Sequence, residues 1–265
     1  MSTVTASTVS LSRQALAYDS RTAIPRLGLI ALSTDLTSER DFARIVPQDR
    51  AAVHVTRVAF DNPTTPENLR KMAPRLGAAA ALLPPGEPLA AVCYSCTSAS
   101  VVIGDESIAA AIHGAVADVP VVTPSAAARL AFRALGVGRL AILTPYLPET
   151  SRPMATYFSQ HGLEVTRLEC FGLEDDRDMA YVARDCIVAA ALQVDNADAE
   201  ALFISCTALP AIGAIAEIEA RSGKPVVTSN QATGGAMLRH AGLDHQPTEF
   251  GRLFQCELPR VNAPA

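Results

Sequence analysis

Two short segments hold residues able to do chemistry without a metal: Tyr94-Ser95-Cys96-Thr97-Ser98 and Ser205-Cys206-Thr207. Each closes an apolar run of strand character, 89–95 and 201–205, and each is followed by small residues and a helical pattern. A thiol at the carboxyl end of such a strand meets the unpaired N–H groups of the next helix, whose positive end lowers its pKa and favours the thiolate. The hydroxyls of Thr97, Ser98 and Thr207 can then donate to an anionic substrate. A lone cysteine more often just fills space in a core. Two of them in matching Ser-Cys-Thr turns are harder to explain by packing, so Cys96 and Cys206 form the candidate catalytic pair. Cys93 makes a formal Cys-x-x-Cys with Cys96, but it lies inside the strand with no second pair to complete a zinc set, and it reads as core. Cys170, Cys186 and Cys256 show no partner pattern, and the five histidines are scattered. No metal site is expected. No glycine-rich phosphate loop follows an expected strand, so no nucleotide cofactor is expected either.

The elements that must position these thiols follow from the alternation of short apolar runs with longer helical patterns. Strands are expected at 26–32, 53–59, 89–95, 120–123, 140–144, 164–168, 201–205 and 225–228. This is the pattern of parallel α/β architecture with βαβ crossovers. The clearest helix start is Thr65-Pro66-Glu67, with Thr to cap, Pro at the first helical position and Glu at the positive end. The halves echo one another: the two Cys-Thr turns are each followed by a Pro-Val-Val-Thr strand, at 120–123 and 225–228. A duplicated unit follows. The expected fold is α/β, with two pseudo-twofold-related Rossmann-like domains, each a small parallel sheet flanked by helices, and the active site in the cleft between them. Domain 1 is assigned to 26–124 plus 230–265, domain 2 to 125–229, and 1–25 to a loose Ser/Thr-rich tail.

The 265 residues are 49% hydrophobic and 18% charged, the balance of a globular enzyme rather than a disordered chain. Lys plus Arg number 22 against 27 Asp plus Glu, a net charge of −5, which lacks the basic excess that neutralises phosphates. Nucleic acid is not an expected partner. Apolar runs stop well short of the roughly 18 residues of a membrane span, and the tail lacks the apolar stretch of a signal peptide. Six cysteines without a secretion signal fit a reducing compartment. A cytoplasmic homo-oligomer away from membranes is expected.

The paired Cys-Thr turns, the strand Leu140-Ala-Ile-Leu-Thr-Pro-Tyr146 and the segment Gly223-Lys-Pro-Val-Val-Thr-Ser-Asn-Gln-Ala232 resemble the aspartate/glutamate racemase superfamily. Within it the chain is most similar to the branch with maleate cis-trans isomerase, arylmalonate decarboxylase and the ectoine-utilisation protein EutA. The resemblance runs from about Arg26 to Gly242. It implies two facing α/β domains, one cysteine from each at the cleft, no metal or organic cofactor, and a tyrosine at Tyr146 that binds a substrate carboxylate. Asn230 is expected to order the backbone of the site without being catalytic. Two departures stand out: Asp35, in the first substrate loop, and Asp176, after Phe171-Gly172-Leu173, replace asparagines of the maleate isomerases. Carboxylates there repel a dicarboxylate and favour a ligand bearing positive nitrogen. That is the reason to place the chain nearer the ectoine-utilisation protein. The plainer roles are a helix cap for Asp35 and a surface place in an acidic first turn for Asp176, the reading favoured for the latter.

The expected enzyme is a cofactor-independent isomerase or racemase of a small carboxylate, with Cys96 and Cys206 on opposite faces of the reacting carbon. One thiolate removes the Cα proton while the other thiol returns one, or one thiolate adds to a double bond that then rotates. A maleate cis-trans isomerase, an arylmalonate-type decarboxylase and a non-catalytic effector-binding module are the alternatives.

Overall fold

The computed structural model of the protein describes residues 9–244 and 247–256. All eight expected strands are present, with ends within two residues of expectation. In chain order the first half runs β1 (Arg26–Leu32), α1 (Ser38–Ile45), β2 (Ala52–Val58), α2 (Pro66–Arg70), α3 (Leu76–Ala80), β3 (Ala91–Ser95), α4 (Thr97–Ile103), α5 (Asp105–His113), β4 (Val121–Val122) and α6 (Pro124–Ala134). The second half runs β5 (Arg139–Thr144), α7 (Pro148–Gln160), β6 (Glu164–Cys170), α8 (Asp176–Met179), α9 (Arg184–Val194), β7 (Ala201–Ile204), α10 (Ile215–Ser222), β8 (Val226–Thr228) and α11 (Ser229–His240). Residues 9–24 are exposed and contain neither strand nor helix.

The strands form two parallel four-stranded sheets, ordered β2-β1-β3-β4 and β6-β5-β7-β8. The order is the same in both, as a duplicated unit requires. Central strands such as β1 and β7 are buried on both faces and read as unbroken apolar runs, whereas the edge strand β6 mixes Glu164, Thr166, Arg167 and Glu169 with apolar residues and stays half-exposed. Thr65 caps α2 as expected, its side chain accepting from the Asn68 N–H at 3.3 Å.

The last helix of each half crosses to the other sheet. Helix α6 leaves the first sheet yet carries Phe132 edge-on to Phe158 and Phe203 of the second, with ring centroids 6.1 and 5.8 Å apart. Helix α11 leaves the second sheet and packs on α1 and β3 of the first. A single apolar cluster therefore joins Leu27, Leu29 and Phe42 to Ile142, Phe203 and Met237, while a second, with Ile30, Leu32, Leu69 and Tyr94, fills the other face of the first sheet. Among the described residues, no helix is long and apolar enough to cross a membrane.

The crossing of α11 over α1 depends on Gly234, where an added Cβ would stand 2.8 and 2.9 Å from Cγ2 and Cδ1 of the buried Ile45. Alanine gains up to about 1 kcal/mol of helix propensity over glycine, but overpacking a core costs about 1–3 kcal/mol, so the clash wins. Gly234→Ala is expected to lower the melting temperature, and Ile45→Val in the same chain, by removing Cδ1, to recover part of the loss. A mutant as stable as the parent would show that α1 can slide aside.

Candidate active site

Cys96 and Cys206 both stand at the carboxyl end of a central strand, buried to 5% and 4% exposure. Their surroundings differ. Cys96 is the N-cap of α4, in extended backbone, and its carbonyl accepts from both the N–H and the hydroxyl of Ser100 at 3.0 and 2.7 Å. Its sulfur lies 3.7 Å from the Ser98 hydroxyl, while the Tyr94 hydroxyl, two residues back on the strand, donates to the Met72 sulfur at 3.5 Å. No helix starts at Cys206, contrary to expectation. The chain passes through an irregular loop and a 3-10 turn at Ile212–Ala214 before α10 begins. Cys206 instead has a left-handed backbone, φ 106°, and its sulfur accepts the Ala208 N–H at 3.3 Å. Tyr146, 1% exposed, places its hydroxyl between Cys206 and Ser98, and the Cys206 thiol points to the Met179 sulfur at 3.8 Å. Tyr146 thus stands beside the second thiol, whereas the tyrosine before the first thiol gives its hydroxyl proton to Met72.

The threonines after the cysteines lock the halves together. Thr97 donates its hydroxyl to Ser229 Oγ at 2.8 Å, and Thr207 donates its own to the Ser95 carbonyl at 3.0 Å. Asn230 donates to the Thr207 carbonyl and to Asp41 Oδ2, at 2.9 and 2.8 Å, which is the backbone-ordering role expected of it. Thr37 donates to the Ala208 carbonyl at 2.6 Å. Both threonine hydroxyls are thereby given to protein acceptors.

Asp35 is 3% exposed and both its oxygens are engaged within its loop. Oδ1 accepts the N–H groups of Thr37 and Ser38, each at 2.8 Å, and Oδ2 accepts the Ser38 hydroxyl at 2.5 Å, a cap on α1. Ser38 Oγ lies 2.9 Å from Ser95 Oγ, so the cap is tied to the strand that carries Cys96. Asp176 does not sit on the surface. It is 5% exposed, Oδ2 accepts the Thr34 hydroxyl at 2.6 Å, and its N–H goes to Asn62 Oδ1 at 3.0 Å. Both partners come from the other half, and they pull the acidic turn of α8 into the cleft.

Burial outweighs every favourable contact of these groups. It pushes Asp176 up to about 6, against the Thr34 hydrogen bond, and also raises Asp35. The thiols rise too: Cys96 to about 12, and Cys206 well above the ordinary thiol range, first through burial and then through the negative charge of Asp176. The lowered thiol pKa expected from helix ends is therefore overturned. A seven-residue helix offers a partial charge to Cys96 alone, and two carboxylates oppose it.

Tyr94, Met179 and Ser229 belong to the site although sequence reasoning passed over them. Tyr94 was within reach, because residues two apart on a strand share a face and Cys96 follows it by two. Cys93 is fully buried, as a core residue should be.

The chain resembles proteins of known activity over most of its length. The family model for arylmalonate decarboxylase matches residues 65–254. The arylmalonate decarboxylase of Bordetella bronchiseptica is 32% identical over 138 residues, which are 51% of this chain and 58% of that protein. The maleate isomerase of Nocardia farcinica is 25% identical over 244 residues, 88% of this chain and 96% of that protein. A structure of the Nocardia farcinica maleate cis-trans isomerase, as a cysteine-to-serine variant with a covalently bound succinylcysteine intermediate, shares the fold with a TM-score of 0.79 at 22% identity, covering 87% of this chain and 98% of that one. With two like sheets, a cysteine at the end of a central strand in each, and a family model whose matched residues include both cysteines, this chain belongs to the arylmalonate decarboxylase family.

Proposed function

We propose that this chain, an enzyme of the isomerase kind, acts on a small carboxylate that also carries positive nitrogen, using Cys96 and Cys206 from opposite faces of the reacting carbon and no metal or organic cofactor. The observation that carries the reading is the pair of buried thiols, one from each half, each at the carboxyl end of a central strand of its sheet. Charge supplies the substrate class. Burial and the charge of Asp176 hold both sulfurs above the ordinary thiol range, so the resting site holds neutral thiols. A substrate ammonium beside Asp176 offsets the charge that weighs on both sulfurs, while a second carboxylate adds to it. Ectoine-derived amino acids fit this description. Ser98, Tyr146 and the N–H groups opening α4 would hold the carboxylate as it becomes enolate-like.

Both chemical routes use the same groups: proton removal and return at Cα, or addition of one thiolate to a double bond. The covalent succinylcysteine of the Nocardia enzyme supports the second for unsaturated substrates. Turnover in deuterated water tests the reading. Racemisation puts deuterium at Cα of a product of inverted configuration, cis-trans isomerisation yields the other geometric isomer of the alkene, and decarboxylation yields a product shorter by one carbon. Exhaustive dialysis against a chelator is expected to leave turnover unchanged, and activity that falls and returns with a divalent ion would refute the cofactor-independent mechanism.

A further inference from the structure

Ser229 has no duty to the helix it opens. The cap of α11 is complete without it, since Thr228 and Gln231 satisfy one another's backbone N–H groups in a capping box. Yet Ser229 is fully buried, and its hydroxyl oxygen accepts two hydrogen bonds: from the Cys206 N–H at 3.0 Å and from the Thr97 hydroxyl at 2.8 Å. One bond holds the residue that carries the second thiol, in a backbone region a non-glycine side chain rarely adopts. The other holds the residue directly after the first thiol. The two lone pairs of a single oxygen thus join the two Cys-Thr turns.

We propose that Ser229 is a positioning residue that sets the two thiols jointly, so that moving one turn moves the other. The oxygen fixes the left-handed turn at Cys206 by taking up a buried N–H, and through Thr97 it fixes the first turn of α4, whose N-cap is Cys96. Without the oxygen, the Cys206 N–H is buried and unpaired, and the strained turn relaxes toward negative φ. Thr97 loses its acceptor at the same time. The proposal rests on the two-cysteine reading above, but its test needs no substrate.

The test is the alkylation rate of each cysteine by iodoacetamide across pH 7 to 10, resolved by peptide mass spectrometry on the full chain. In Ser229→Ala, the rates at Cys96 and Cys206 are both expected to change by about threefold or more, because thiolate fraction and access both follow the lost geometry. The exposed Cys186 serves as internal reference and should not change. Ser222→Ala, which removes a hydroxyl bonded to the Ile218 carbonyl in α10, should move neither site cysteine. A change confined to one site cysteine, to neither, or matched by Ser222→Ala overturns the proposal. If Ser229→Ala does not fold, Thr97→Val cuts the bridge from its other end: a changed rate at Cys206 supports the coupling and an unchanged one ends it. Coupled rates in a protein inactive on every amino-bearing acid would leave the positioning role standing and remove the substrate reading.

Discussion

Cys96→Ser and Cys206→Ser should each lose turnover by roughly 10³-fold or more while keeping the fold. Serine occupies nearly the volume of cysteine, so the well-packed sites around both sulfurs admit it. Its hydroxyl ionises far less readily than a thiol, and burial, which already lifts both sulfurs, would lift it further. Both substitutions matter if one group takes a proton from one face and the other delivers it to the opposite face. Cys93→Ser is the control: its side chain is fully buried three residues from Cys96, so a change there tests packing and not chemistry. It should keep kcat at some cost in melting temperature. Steady-state kinetics on the three variants decide the matter, and full activity in either Cys96→Ser or Cys206→Ser would end the two-cysteine mechanism.

Asp176→Asn should change pH dependence, substrate ranking and stability together. Asp176 is the foremost charge raising both thiols, so removing it should move the thiolate limb of the pH–rate profile to lower pH. Asparagine can still accept from the Thr34 hydroxyl, which keeps the turn in place. The ranking should shift because the lost carboxylate no longer attracts an ammonium or repels a second carboxylate. Amino-bearing acids should lose about 1–3 kcal/mol of transition-state binding, roughly five- to 150-fold in kcat/KM, while dicarboxylates gain. Stability follows from the folded pKa of about 6 against 3.8 for the free group. The folded state binds this proton more tightly than the unfolded chain does. Its contribution is therefore fully present below pH 3.8 and lost as pH rises through 6. At pH 7 the wild type bears a cost on the order of 3 kcal/mol that the amide avoids. Melting temperatures should diverge between about pH 4 and pH 6, with the mutant higher. An unchanged ratio of kcat/KM between an amino acid and a dicarboxylate would remove the charge argument for the substrate.

The sheets were legible because a strand buried on both faces must be apolar along its buried middle, as 27–32, 140–143 and 201–204 are. The repeat of Ser-Cys-Thr and Pro-Val-Val-Thr then revealed that the two sheets are copies. Asp176 was not legible as a buried group. An acidic first turn looks solvated in sequence, and what buries it are Thr34 and Asn62, 142 and 114 residues away. The missing helix after Cys206 did leave a local signal: Pro210 disfavours helical backbone at Leu209, which weakens any helix opening at Thr207. Thiol pKa values follow from enclosure, which local motifs do not encode. The helix-end argument gave Cys96 its correct position and the wrong acidity.

The exchange of α6 and α11 between the sheets bears on ancestry. A single copy of the repeated unit would send its final helix away from its own sheet, leaving part of one face of that sheet, and the helix's apolar face, in water. Such a unit could be stable only by trading that helix with a second copy, as domain-swapped dimers do. The dimer would have had one cleft on its twofold axis, with the same cysteine entering from each side. Fusion of the two genes would then have freed the two turns to diverge, one keeping its helix as at Cys96 and the other losing it as at Cys206. The two unlike thiols of the present chain would descend from a site in which they were identical.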